Sequence, residues 1–160
     1  MLIRPSSSSS GIATRYLLSS AILCLLSVLA PARAMGADDQ DIINYRELIM
    51  KQLDAEAGAI GMILSGQIPS DSLTQQCKAV AASAKSTLKA FEPKVPGGEA
   101  KADVWAKWDD FSKRMKAFEQ AADDMAKASE GNNVNAVTER VIAALPCKDC
   151  HDVYRNKKDK

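Results

Sequence analysis

Residues 104–125, VWAKWDDFSKRMKAFEQAADDM, put Val104, Trp108, Phe111, Met115, Phe118, Ala122 and Met125 at alternating steps of four and three. That spacing gathers the apolar side chains on one stripe of a helix. The helix is expected over 100–129, stopped by Gly131 and Asn132. Upstream, EPKVPGG at 92–98 breaks the pattern with two prolines and two glycines. Before it, 70–91 carries a stripe of Leu73, Cys77, Val80, Ala84, Leu88 and Phe91, with Ser70 placed as N-cap. Earlier still, 39–66 carries Ile43, Arg46, Met50, Leu53, Ala57, Ile60 and Leu64, with Asp38 and Asp39 at its start and Gly66 and Pro69 at its close. Downstream, 133–156 begins a stripe with Val134, Val137, Val141 and Ala144. Pro146 has no N–H for the bond back to Ile142, so a kink or short break is expected there. No segment alternates over strand length. Four amphipathic helices with short connections define an all-α, antiparallel four-helix bundle, crossing at roughly 20°.

The chain has 160 residues and a net charge of +1, enough for one domain with a core. The balanced charge gives no field to attract nucleic acid. Arg4 and Arg15 precede an apolar run over 16–30, then Pro31 and the small-x-small triplet Ala32-Arg33-Ala34. This order reads as a signal peptide over 1–34, followed by the bundle domain at 35–160. The run is shorter than the roughly 20 residues of a spanning helix, so no membrane attachment is expected after its removal. Its loss deletes Arg4, Arg15 and Arg33 and no acid, taking the net charge from +1 to −2. Cys24 leaves with it. Cys77, Cys147 and Cys150 remain, an odd number that cannot make a complete disulfide framework. Cys77 sits in a helical stripe and reads as a buried free thiol.

Residues 147–151 are Cys147-Lys148-Asp149-Cys150-His151, the Cys-x-x-Cys-His pattern of c-type haem attachment. Two thiols at i and i+3 share one helix face and can add across two vinyl groups of one porphyrin. The adjacent imidazole then meets the iron. Three other uses of these residues stand beside this one. A redox Cys-x-x-Cys wants a βαβ context. A zinc site wants a fourth ligand, which Cys77 would have to supply. A plain disulfide leaves the histidine without a role. Haem c fits best, and with an export signal it places the protein in the periplasm.

His151 is the single histidine, which excludes any pair of imidazoles on one metal. The other face of the iron is then open or taken by another donor. Met50 lies mid-stripe on the first helix, one turn beyond Arg46. A buried or half-buried guanidinium on an apolar stripe needs an anion, and a haem propionate offers one with bidentate geometry; the alternative is that Arg46 snorkels to solvent or pairs with the neighbours of Glu47. Met50 is either an iron ligand or an ordinary packing methionine.

The chain resembles the cytochrome c′ and cytochrome c-556 family over about 40–157. Tyr45-Arg46, Gly58-Ala59-Ile60, Ser65-Gly66, a tryptophan at Trp105 or Trp108 and the late Cys147-Lys148-Asp149-Cys150-His151-Asp152-Val153-Tyr154-Arg155 carry the likeness. The resemblance implies Cys147 and Cys150 as thioethers to one haem c, His151 as proximal iron ligand and Arg46 beside a propionate. It implies that Arg155, four residues past His151, opposes imidazolate character. Low-spin members have methionine four residues after that arginine, which makes Met50 the expected distal ligand. A His/Met pair leaves iron six-coordinate and suits single-electron transfer with a redox partner protein, not an enzyme. The alternative is a five-coordinate cytochrome c′ that binds nitric oxide or carbon monoxide, with Met50 as packing. Lys148, Lys157, Lys158 and Lys160 read as a solvated tail favourable to the helix C-terminus, the alternative being a docking patch for an acidic redox partner. Dimerisation through the first two helices is common in the family, which leaves a homodimer open.

Overall fold

The computed structural model describes residues 38–157. The leader assigned to 1–34, Met35, Lys158 and Lys160 lie outside these residues. The first helix, α1, runs Asp39–Leu64. Asp38 is extended, and its carboxylate accepts the Asp41 N–H at 2.7 Å, the capping expected of an aspartate at this position. The helix ends at Ser65, and Gly66 turns the chain at φ +74.

The second helix opens differently from expectation. Ser70 starts a 3-10 turn, Ser70–Ser72, and α2 follows at Leu73–Phe91 with no side-chain cap of its own. Asn132, at φ +57, supplies the cap from across the bundle: its Oδ1 accepts the Thr74 N–H at 3.0 Å. The Thr74 hydroxyl in turn donates to Ser129 O and accepts the Asn132 N–H. The residues that stop one helix therefore start another.

The third expected helix is divided. A short α3, Asp103–Ala106, gives way at Lys107 (φ −119, ψ 42) to α4, Trp108–Ala128. The Trp105 indole N–H donates to Phe91 O at 3.0 Å, tying α3 to the end of α2. The fourth is divided twice, into α5 (Val134–Thr138), α6 (Val141–Ala144) and α7 (Cys147–Tyr154). Leu145 stands at φ −126, ψ 62, as a residue before proline is pushed out of the helical region. The break at Pro146 is the expected one; the break near Arg140 is additional. The result is an all-α, antiparallel four-helix bundle, with α3–α4 as its third member and α5–α7 as its fourth.

Two apolar clusters fill it. Ile60, Leu73, Cys77, Val80, Ala122, Met125 and Val137 are sealed from solvent in one. Ile49, Phe91, Val104, Phe111, Met115 and Tyr154 form the other. There Phe111 packs 5.1 Å from Phe91 and edge-on, at 5.2 Å, to Tyr154. The α1 stripe departs from expectation in its first half. Arg46, Ile49, Ile60 and Ile63 are its buried residues, while Ile43, Met50 and Leu53 face a cavity.

Candidate functional site

The cavity has a volume of about 640 Å³ and lies beside the aromatic cluster. Arg46 and Met50 enter it from α1, Phe111, Met115 and Phe118 from α4, and Cys147, Cys150 and His151 from α7. Sequence reasoning singled out five residues for one site, and all five line this cavity. Helical spacing explains the pairing on each side: Arg46 and Met50 are one turn apart, and Cys147 and Cys150 share one face of the short α7.

Arg46 is 3% exposed. Its guanidinium lies over the Phe91 and Trp105 rings, at 5.5 and 5.1 Å from their centroids. Nη2 donates to Gly97 O at 3.3 Å, and Nη1 is buried without a partner among the described residues. Burial lowers its pKa, and the Glu47 carboxylate pulls the other way. Phe91, Trp105 and Gly97 were not read as site residues from the sequence. The aromatic residues look like ordinary core there, and the only signal from Gly97 is that it interrupts a helical pattern.

Cys147 and Cys150 are free thiols, Cys147 exposed and Cys150 half-buried. Desolvation raises both pKa values, so both sulfurs are protonated near neutrality. The His151 pKa is lowered, first by desolvation and then by the Arg155 charge, so its imidazole is neutral and able to donate a lone pair. Behind it, the Tyr154 hydroxyl donates to Asp110 Oδ2 at 2.5 Å, and Arg114 Nε donates to the same oxygen at 2.7 Å. This triad joins α7 to α4 and was not anticipated. Lys148 pairs with Asp152 at 2.5 Å on the exposed face of α7. Cys77 is buried in the other cluster, away from these residues.

The model of the family "Cytochrome C'" matches residues 41–155, and the chain belongs to the cytochrome c′ family. It is 30% identical over 125 residues to cytochrome c′ of Pararhodospirillum photometricum, covering 74% of this chain and 99% of that one. It is 27% identical over 121 residues to cytochrome c-556 of Agrobacterium tumefaciens (strain II Chrys), covering 72% and 98%. Among solved structures, a ferrous variant of cytochrome c prime from Alcaligenes xylosoxidans with bound NO matches at a TM-score of 0.71 and 22% identity, covering 77% of this chain and 99% of that one. As a member of the family the chain is a c-type cytochrome that carries one covalently bound haem c. The residues present suit that group: an apolar cavity, two neutral thiols, a neutral imidazole and an unsatisfied buried guanidinium nitrogen.

Proposed function

We propose that this cytochrome works in the periplasm and takes nitric oxide or carbon monoxide at the iron face that His151 leaves free. The observation that carries the reading is the convergence of Arg46, Met50, Cys147, Cys150 and His151 on one cavity. Haem, when bound, supplies a one-electron iron couple and a coordination position for a diatomic molecule. Cys147 and Cys150 hold it as thioethers. His151 offers its neutral imidazole nitrogen to the iron, and Arg46 offers its free Nη1 to a propionate. Met50, an apolar thioether on the cavity wall, would pack beside the bound group without ligating it. The nitric oxide complex of the Alcaligenes xylosoxidans neighbour supports this reading. The export signal at 1–34 supports the compartment; among the described residues no helix is long and apolar enough to cross a membrane. We read the protein as a carrier and not an enzyme.

A second reading, the main expectation from the sequence, makes Met50 the distal ligand of a low-spin haem that exchanges single electrons with a redox partner protein. Its support is the position of Met50, one turn past Arg46 on the cavity wall, and the similarity to a cytochrome c-556. One experiment separates the two. Under the first, the reduced protein gives a broad high-spin spectrum that carbon monoxide shifts at once. A sharp low-spin α band that carbon monoxide leaves unmoved, and that Met50→Ala abolishes, overturns it in favour of the second. The outward face of α1 supports a homodimer under either reading, with Tyr45 53% and Leu48 61% exposed. Molecular mass in solution tests that.

A further inference from the structure

The last carbonyls of a helix need partners that the helix itself cannot offer. In α7, His151 O accepts the Arg155 N–H at 3.0 Å. The next three carbonyls all go to one residue. Lys101 Nζ donates to Asp152 O and to Val153 O, each at 3.2 Å, and the Lys101 N–H donates to Tyr154 O at 2.9 Å. Beside them Ala100 pairs with Arg155 in an isolated antiparallel bridge, and the Asn156 N–H donates to Glu99 O at 2.8 Å.

The other end of this segment lies on α1. Gly97 O accepts from Arg46 Nη2. Gly97 and Gly98 hold φ of +134 and +60, and they approach α1 so closely that a Cβ would stand 2.7 Å from Ile43 Cδ1 at the first and 2.5 Å from Glu47 Oε1 at the second. Residues 97–101 therefore grip the helix of Arg46 and the helix of His151 at once.

The grip matters because α7 has little of its own. It is eight residues long and starts at Pro146 without a side-chain cap. A helix of that length does not persist without outside contacts. An ammonium at its C-terminus also complements the helix dipole. The Lys101 charge is one of the causes that lower the Asp103 and Asp152 pKa values.

We propose that Lys101 is a positioning residue: through residues 97–101 it fixes His151 on α7 relative to Arg46 on α1, and so sets how firmly the imidazole is held to the haem iron. This rests on the reading of Cys147, Cys150, His151 and Arg46 as the haem-holding residues. The test uses the holoprotein with Lys101 intact and with Lys101→Met, Lys101→Arg and Lys101→Gln. Each also carries Met50→Ala, so that the sixth position is open under either ligation reading. Two quantities are recorded: the iron–histidine stretching band of the ferrous protein by resonance Raman, and amide exchange over 152–156. Lys101→Met is expected to speed exchange at least tenfold and to lower or broaden the band. Arginine, with five donors, restores both, and glutamine, with N–H donors but no charge, falls between. Faster exchange with an unmoved band reduces Lys101 to a helix cap and overturns the proposal, as does unchanged exchange. If Lys101→Met does not fold, glutamine against arginine decides by the same two readings. Loss of covalent haem, or of the band, in the protein with Lys101 intact strikes the haem reading instead.

Discussion

The half of the bundle around Leu73, Cys77, Val80, Ala122, Met125 and Val137 closes on itself: each of these side chains is fully buried. The half around Phe91, Phe111, Met115 and Tyr154 has the larger side chains, yet it leaves a cavity of about 640 Å³ and a buried guanidinium nitrogen without a partner. The first half is shaped by its own packing, and the second is shaped around something it lacks as a bare polypeptide. Under the proposed function, haem c tethered through Cys147 and Cys150 fills that space.

The sharpest way to break this contrast is to withhold the group. The double variant Cys147→Ser, Cys150→Ser, made alongside a working maturation system, is expected to carry no covalent haem by mass. Its amides in α7 and the first half of α1 should then exchange rapidly, while those around Leu73 and Met125 stay protected. If both halves lose protection together, the contrast fails.

Core truncation sharpens the same point. Leu73→Ala is expected to cost about 2–5 kcal/mol in the haem-bearing protein and the same in the double-serine protein. Phe111→Ala is expected to cost about 3–5 kcal/mol with haem and much less without it, because its neighbours already face open space. Urea midpoints at constant m-value read both. Equal costs for Phe111→Ala in the two backgrounds would show that its cluster packs independently of the haem.

How legible each half is in the sequence follows from this difference. Where side chains pack on side chains, the three-and-four spacing finds them: Leu73, Val80, Ala122 and Met125 are buried where expected. On the first half of α1 the same spacing groups Ile43, Met50 and Leu53 with the core, although they line the cavity. Periodicity identifies an apolar stripe but not what it meets. Arg46, the polar residue on that stripe, was the local sign of the site, and the Cys147–His151 motif was the explicit one. The contacts made by chain reversal were not legible. Asn132 capping Thr74 and Lys101 gripping α7 join residues more than 50 positions apart. The break at Lys107 accompanies a hydrogen bond from Trp105 to the end of α2, a contact that no local propensity reports.

Cys77 tests the closed half at smaller scale. Its thiol is buried, and desolvation raises its pKa. Cys77→Ser puts a smaller, more polar group beside the Ser129 side chain that already hydrogen-bonds the thiol, within an otherwise aliphatic cluster, and is expected to cost about 1–3 kcal/mol in urea titrations. The native thiol should resist alkylation until denaturant is added. Ready labelling in the folded protein would mean that this half opens more easily than its packing implies.

The smallest effect near neutral pH, and the most specific in its pH dependence, is expected of Tyr154→Phe. The hydroxyl donates to Asp110 in a half-buried setting, and its pKa is pushed up to about 12, first by desolvation and then by the Asp110 hydrogen bond and charge. The folded state thus keeps this proton more tightly than the unfolded chain, whose tyrosine titrates near 10. Its contribution is complete below pH 10 and is lost as pH climbs toward 12. The partner runs the other way. The Tyr154 hydrogen bond, then Arg114, lowers the Asp110 pKa, so that contribution is present above the ordinary carboxylate range and disappears as acid protonates the folded state. Removing one hydroxyl should therefore flatten both ends of the stability–pH profile while changing stability at pH 7 by only about 0.5–1.5 kcal/mol. Thermal midpoints of the two proteins from pH 3 to 11.5 measure this. A parallel offset at every pH would show that the hydroxyl contributes packing alone, and that the link from α7 to α4 does not depend on the Tyr154–Asp110 pair.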